Sequence, residues 1–333
     1  MKPVSVSDLS YFAGCRRAWY WGKQYYPLIP PDYFWVGTGV HAGLDNYFNS
    51  NRSLPKALTA VNEWYHNSIK ELEGSVDSDV WVSEYRDRFQ TDYELILGMV
   101  ENFTIYDRIA HPPLFQGDVV ATEVFASFKL SNGIVLRGRI DLVLENDLGL
   151  VLIDHKTFSS TPSQVSVDID GQLTAYSYLW CMTRKRRPDV VAYNVLFKGM
   201  PQPPTRLKRG GLSKAKGQYT TEALYRESLL EEELDPADYE EILGILHENG
   251  WRQFFDEFIT FRDPVELENF EKRVLQESQE INDVHADPEK LAYPAPSIYT
   301  CGRCDYKRAC REKEQGGDYE WVLDQEFTTK SSY

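Results

Sequence analysis

Two groups of residues in this chain have the types and spacing to do chemistry. The first is a pair of carboxylates with a lysine in "GRIDLVLENDLGLVLIDHKTF", where Asp141 closes one motif and Asp154 and Lys156 lie in the next apolar run. The second is a set of thiols, Cys301, Cys304 and Cys310, in "YTCGRCDYKRACREK". Three thiolates are one ligand short of the four that a structural zinc ion or an iron-sulfur cluster usually takes. Cys15 and Cys181 are the remaining cysteines, and at this level either one completes the set.

Each group needs elements to position it. Between Gly133 and Phe158, Ile134, Leu136, Ile140, Leu142 and Leu144 share one parity and Arg137, Arg139 and Asp141 the other, which is the period of a strand. In the following run Asp154 and Lys156 are two apart and project to one side, with Ile153 and His155 on the opposite side. "ENDLG" between the runs is turn-forming, so the two make a hairpin. A turn centred near Asp147 sets Asp141 across from Asp154 to within a residue or two. Carboxylates held side by side repel unless a cation lies between them, and a divalent ion is the economical solution. Such an ion polarises a phosphoryl group and lowers the pKa of a bound water, while a neighbouring ammonium orients that water or stabilises the developing charge. Phosphodiester hydrolysis is the chemistry this set suits. An ordinary surface hairpin with an Asp-Lys pair is the plain alternative.

At 333 residues the chain exceeds the usual single-domain size, so a core with large insertions or two closely packed lobes is expected. Hydrophobic residues at 42% and aromatics at 14% describe a globular protein rather than a disordered one. The apolar stretches are of strand length, which predicts neither a signal peptide nor a membrane span and makes the cytoplasm the expected location. Clustered cysteines there bind metal or do redox chemistry more often than they form disulfides. A net charge of −15 excludes a protein that coats nucleic acid by charge alone. The charge is uneven, however. Residues 222–257 hold twelve acidic side chains against Arg226 and Arg252, whereas "TRLKRGGLSKAKG" (205–217) has five basic residues and no acidic one. "TRKRRPD" (183–189) is a second basic run; a solvated face is the plain reading of either.

The hairpin resembles the PD-(D/E)XK nuclease superfamily, and within it the RecB-like branch: "GRIDLVL" followed by "GLVLIDHKTF" is similar to its acidic residue after Gly-x-Ile and its acidic-x-Lys triplet. The resemblance implies an α/β fold with a central mixed β-sheet flanked by helices, a restriction-endonuclease-like core with helical insertions. It assigns metal binding to Asp141 and Asp154 and water activation or charge stabilisation to Lys156. His155 stands where an aromatic is common, and points away from the patch. Gln172 and Tyr176 in "DIDGQLTAYSYLWC" match the family's Gln-x-x-x-Tyr helix, which contacts DNA or orders the active site. His41, on the edge of a helical stripe of Val40, Leu44, Tyr47 and Phe48, matches a further metal ligand. Glu123 in "VVATEVFASFKL" is an additional acidic candidate one strand before Asp141.

In the same branch, the AddB-type nuclease and the CRISPR-associated RecB-type exonucleases carry one cysteine before the core and three after it, spaced C-x2-C-x5-C. Cys301, Cys304 and Cys310 have that spacing. Cys15, in "SVSDLSYFAGCRRAWYW", matches the first position and Cys181 does not. The resemblance therefore implies a [4Fe-4S] cluster on Cys15, Cys301, Cys304 and Cys310, which would tie the chain ends together, with Cys181 a buried thiol in a helix. Tetrahedral Zn²⁺ is the runner-up. It also implies Mg²⁺ or Mn²⁺ at the carboxylates, and a metal-dependent deoxyribonuclease, an exonuclease on DNA ends or single strands.

The remaining expectations concern organisation. The chain divides into an N-terminal segment with the first cysteine and the His motif (1–49), a helical insertion (50–118), the nuclease core (119–198), a basic loop with an acidic helical region (199–283) and the cysteine segment (284–333). The basic loop, through Lys208, Arg209 and Lys214, and "TRKRR" are expected to line a DNA path, with no membrane partner. Trp19, Tyr20 and Trp21 stack on unpaired bases or pack around the cluster. The competing class is a non-catalytic DNA-binding or assembly module of a recombination or CRISPR adaptation complex.

Overall fold

Period-two apolar patterning builds the centre of the fold. The computed structural model describes residues 1–28, 31–75 and 79–330; the segments 1–49, 50–118 and 284–333 read from the sequence also contain the few residues outside that description. The strands are β1 (Val4–Ser5), β2 (Tyr25–Pro27), β3 (Asp118–Lys129), β4 (Val135–Asn146), β5 (Gly149–Phe158), β6 (Val190–Phe197), β7 (Phe255–Thr260) and β8 (Phe327–Thr329). One mixed sheet runs β1-β4-β5-β6-β7 with β3 paired to β4, while β2 and β8 form a separate antiparallel ribbon. β4 and β5 are antiparallel, β5 and β6 parallel, β6 and β7 antiparallel. This is the α/β architecture, a central mixed sheet flanked by helices, that the resemblance implies.

The helices are α1 (Val6–Gly14), α2 (Arg16–Gly22), α3 (Asp32–Asn49), α4 (Leu54–Ser75), α5 (Asp79–Ala110), α6 (Gln164–Asp168), α7 (Gly171–Arg184), α8 (Glu222–Glu231), α9 (Glu240–Asn249), α10 (Pro264–Ala286), α11 (Pro288–Leu291), α12 (Lys307–Glu314) and α13 (Tyr319–Glu326). Apolar residues of α1, α7 and α10 cover one face of the sheet, and those of α3, α4 and α5 cover the other. The helical insertion is thus structural, because α4 and α5 complete the second face. α3 lies so close to its neighbours that a Cβ on Gly39 would meet Ile96 and Trp64 at 2.7 Å, and one on Gly43 would meet Val100 at 2.7 Å. Val40, Leu44, Tyr47 and Phe48 are its buried stripe, as the spacing predicts.

Two parts of the 199–283 segment separate. α8 and α9 enclose a small core of their own, with Leu212 of the basic loop inside it. β7 and α10, by contrast, belong to the main sheet and its cover, which the acidic composition did not signal. At the other end α2, α12 and α13 pack around Trp21, Tyr306 and Phe327. The pairing of Tyr25 with Thr329 and of Pro27 with Phe327 joins the N- and C-terminal segments through backbone hydrogen bonds.

Candidate active site

The hairpin register sets the site. β4 and β5 pair from Asn146↔Gly149 up to Leu142↔Ile153, so the next positions in line are Asp141 and Asp154, opposite one another as expected. There the two strands part: β5 continues along β6 to Phe158 without β4. In place of the next ladder bond, the His155 backbone N–H donates to Asp141 Oδ2 at 2.8 Å. A buried backbone donor must be satisfied, and here a carboxylate does it.

Asp141 also marks a crossover. Ile140 packs in the core under α1, α7 and α10, whereas Leu142, of the same parity, packs in the core under α3 to α5. Across from Asp141, Glu123 takes φ +48, a left-handed conformation uncommon for a non-glycine residue. Backbone held in such a region clusters at functional sites.

Glu123 joins His41 and Asp141 in a group whose ligand atoms all lie within 4.8 Å of one another. His41 Nε2 lies 2.8 Å from the His155 carbonyl. Because a carbonyl only accepts, the proton sits on Nε2 and the Nδ1 lone pair faces Asp141 Oδ2 at 3.4 Å. A ligating histidine is oriented in this way by the partner of its other nitrogen. Burial, with the charges of Lys156 and Arg139 and against that of Asp154, lowers the His41 pKa and keeps the ring neutral. Burial and the nearby charge of Asp154 push the Asp141 pKa well up, and burial with Asp154 and Asp45 raises that of Glu123 despite Arg139 Nε at 2.6 Å. Crowded carboxylates beside a free imidazole lone pair are a set that a hard divalent cation would relieve.

Lys156 lies next to this group. Its Nζ is 2.6 Å from Asp154 Oδ2 and donates to Gln172 Oε1 at 2.8 Å. Burial alone would lower its pKa; the charges of Asp154 and Asp141 outweigh that and raise it, so the ammonium is retained. Gln172 Nε2 donates to Asp154 Oδ1 at 3.1 Å and to the Tyr176 hydroxyl at 2.8 Å. One amide thereby fixes both Asp154 and Lys156 from the first turn of α7, which Asp170 caps by accepting the N–H of Gln172 and Leu173. Asp154, Lys156 and Tyr176 are thus linked through the Gln172 side chain. Asp154 stands beside the His41, Glu123 and Asp141 group, outside the 4.8 Å limit.

His155 does point away: its ring stacks on Phe48 at 5.9 Å and Nδ1 accepts from Asn194 Nδ2 at 2.9 Å. Sequence reading missed Asn194, whose signal was a lone amide inside the apolar run "VVAYNVLF". It also missed Tyr193, whose ring faces Lys156 Nζ at 5.2 Å.

Cys15, Cys301, Cys304 and Cys310 border one cavity of about 630 Å³, and Cys181 lies apart in α7, half-buried rather than buried. Backbone N–H groups of Ala295 and Ser297 donate to Cys15 Sγ and Cys301 Sγ, each at 3.4 Å. The Arg17 guanidinium reaches Cys310 Sγ at 3.5 Å. Burial and the charges of Cys15, Asp305 and Cys310 push the Cys304 thiol up to about 11. Among the described residues, no three of these sulfurs come within 4.8 Å of one another.

Trp19 and Trp21 are buried, Trp19 donating to Asp8 Oδ1 at 2.9 Å, so they pack rather than meet bases. Arg206 pairs with Glu231 and Glu232, Lys216 with Glu241, and Lys214 Nζ bonds the Asp238 carbonyl. Two of the loop's five cations are thus paired with carboxylates of its own acidic lobe, while Lys208, Arg209 and Lys214 make no ion pair among the described residues. "TRKRR" lies at the C-terminal end of α7, about 18 Å along the axis from Gln172, with Arg186 paired to Glu145 at 2.7 Å.

Strands that pair and then diverge around carboxylates, with a lysine on the diverging strand, define a restriction-endonuclease-like α/β fold. Residues 3–311 match the PD-(D/E)XK nuclease superfamily, and the chain belongs to it. The superfamily implies a metal-dependent nuclease in general and hence nucleic-acid binding. Among solved structures, one titled "Crystal structure of SSO0001" is similar at 12% identity with a TM-score of 0.32, over 75% of this chain and 96% of that chain. No curated protein matches the chain. Among the described residues no helix is long and apolar enough to cross a membrane.

Proposed function

We propose that the protein is a deoxyribonuclease of the RecB-like branch that hydrolyses phosphodiesters with Mg²⁺ or Mn²⁺ and acts as an exonuclease on DNA ends or single strands. The observation that carries this reading is the convergence of His41 Nδ1, Glu123 and Asp141 within 4.8 Å beside the fixed Lys156. These residues would hold the cation, with Asp154 supplying the neighbouring carboxylate. When bound, the ion would polarise the phosphoryl group and acidify a water. Lys156 offers its ammonium to a non-bridging phosphate oxygen, and Gln172 and Tyr176 keep that ammonium and Asp154 aligned. The His155 peptide fixes the site from behind, its N–H on Asp141 and its carbonyl on His41.

The thiols suit a [4Fe-4S] cluster held by Cys15, Cys301, Cys304 and Cys310. Tetrahedral Zn²⁺ on the same four sulfurs is the alternative. N–H donors aimed at sulfur favour thiolate ligands, and the raised pKa of Cys304 makes an uncompensated thiolate costly. A reducing compartment, the cytoplasm, suits five free thiols. The intact Lys156, Asp154 and Asp141 arrangement favours catalysis over a purely assembling module.

The test is cleavage in Mn²⁺ of labelled linear and circular single-stranded DNA, linear duplex DNA and RNA. Linear single strands shortened from an end with circular ones intact support the reading. Cutting of circles equal to that of linear strands contradicts the exonuclease assignment, and cleavage of RNA in preference to DNA contradicts the substrate.

A further inference from the structure

The outer face of the β3–β4 ribbon carries an aromatic and three cations in a chain of net charge −15. Register places Phe125 opposite Arg139, Ser127 opposite Arg137 and Lys129 opposite Val135. The alternate residues Val124, Ala126, Leu136 and Ile140 are buried beneath, so Phe125, Ser127, Lys129, Arg137 and Arg139 all face solvent. Phe125 is 64% exposed. Among the described residues its ring has no aromatic or cationic partner. Among the described residues Lys129 and Arg137 make no ion pair, while Arg139 reaches Glu123 at 2.6 Å. The row therefore ends at the carboxylates of the site.

Resting on the nuclease reading above, we infer that this ribbon face is the track along which a single-stranded nucleic acid enters the site. Residues two apart on a strand stand about 7 Å apart, so Arg137 and Arg139 meet successive backbone phosphates of an extended strand. Phe125, across from Arg139 and two residues from Glu123 on the same strand, offers a face on which a base stacks whatever its identity. Charge complementarity supports this face: Arg206 and Lys216 of the basic loop are taken by acidic side chains and Arg186 by Glu145, whereas Lys129 and Arg137, in the row that ends at the site, make no ion pair among the described residues and can neutralise phosphate. A duplex buries its bases and leaves an exposed phenyl ring no stacking partner, which favours an unpaired strand.

The experiment measures fluorescence anisotropy of a labelled oligodeoxythymidylate with the full chain in EDTA, across a salt series, for the native protein, Phe125→Ala, Lys129→Gln with Arg137→Gln, and Lys208→Gln with Arg209→Gln. Phe125→Ala is expected to weaken binding about tenfold. The Lys129 and Arg137 exchange is expected to lower the slope of log affinity against log salt by about 0.7 per lost phosphate contact, and the loop exchange to leave both unchanged. Thermal stabilisation by Mn²⁺ is expected to persist in Phe125→Ala, which separates a lost track from a damaged metal site. Unchanged affinity and slope in both ribbon variants overturns the inference, as does duplex binding that is tighter than single-strand binding and indifferent to Phe125→Ala. Native protein that binds the strand through these residues yet cleaves nothing in Mn²⁺ keeps the track and refutes the nuclease instead.

Discussion

Glu123→Gln separates the cost of the carboxylate group from its use. Its oxygen and that of Asp141 lie within 4.8 Å, where two unit charges at an effective dielectric of about 20 repel by about 3.5 kcal/mol. Partial protonation of Asp141, whose pKa is pushed up, reduces that figure. Arg139 offsets it further, but its side chain is 66% exposed, and such a pair is worth at most about 1 kcal/mol. The amide keeps the size of the carboxylate and the same backbone preference, so the exchange is expected to stabilise the metal-free protein by about 2 kcal/mol. For 333 residues, an unfolding entropy of about 2.1 cal/mol/K per residue turns this into a melting temperature about 3 °C higher. Mn²⁺ at a hundredfold excess over its Kd stabilises the native protein by about 2.7 kcal/mol, or about 4 °C, and this increment is expected to fall below about 1 °C in the variant. Thermal denaturation in EDTA and across a Mn²⁺ series reads both quantities. A variant that melts lower in EDTA and retains the full Mn²⁺ increment refutes the reasoning, because Glu123 would then be a structural partner of Arg139 and not a ligand.

Gln172→Ala frees both Asp154 and Lys156 from one amide and is expected to lower the cleavage rate by about ten- to a hundredfold, with far-ultraviolet circular dichroism unchanged. Cys15→Ala is expected to lose bound iron and the broad visible absorption as completely as Cys304→Ala, whereas Cys181→Ala keeps both; iron analysis of the purified variants decides. His285 packs on Trp19 at 5.0 Å, and burial with the charges of Lys2 and Lys23 lowers its pKa to about 4. Between pH about 6.5 and 4 the unfolded chain takes up a proton that the folded one does not, so stability falls as pH falls through that window. Urea denaturation across it is expected to give a shallower pH dependence for His285→Gln than for the native protein.

How much of this was legible in the sequence depended on how local the signal was. The hairpin register was readable because alternation and a turn sequence fix it, and Asp141 does stand opposite Asp154. The single parity of Ile140, Leu142 and Leu144 misled, however, since the chain crosses between cores at Asp141. The left-handed backbone at Glu123 opposite it is borne by a residue type with no preference for that conformation. The spacing of Gln172 and Tyr176 predicted a shared face, but not that one amide would hold Asp154, Lys156 and Tyr176 together. Charge runs were visible as composition, whereas their partners Glu231, Glu232, Glu241 and Glu145 come from elements that only folding brings near. Trp19 and Trp21 show the same limit: an aromatic that packs and one that awaits a base look alike until burial is known.

The central claim is that His41, Glu123 and Asp141 hold a divalent cation beside Lys156. Crystals grown with Mn²⁺ and measured for anomalous scattering test it directly. An anomalous peak bounded by His41 Nδ1 and the carboxylates of Glu123 and Asp141, absent from crystals of Asp141→Asn, is the predicted result. No peak at saturating Mn²⁺, or one that excludes both His41 and Asp141, contradicts it.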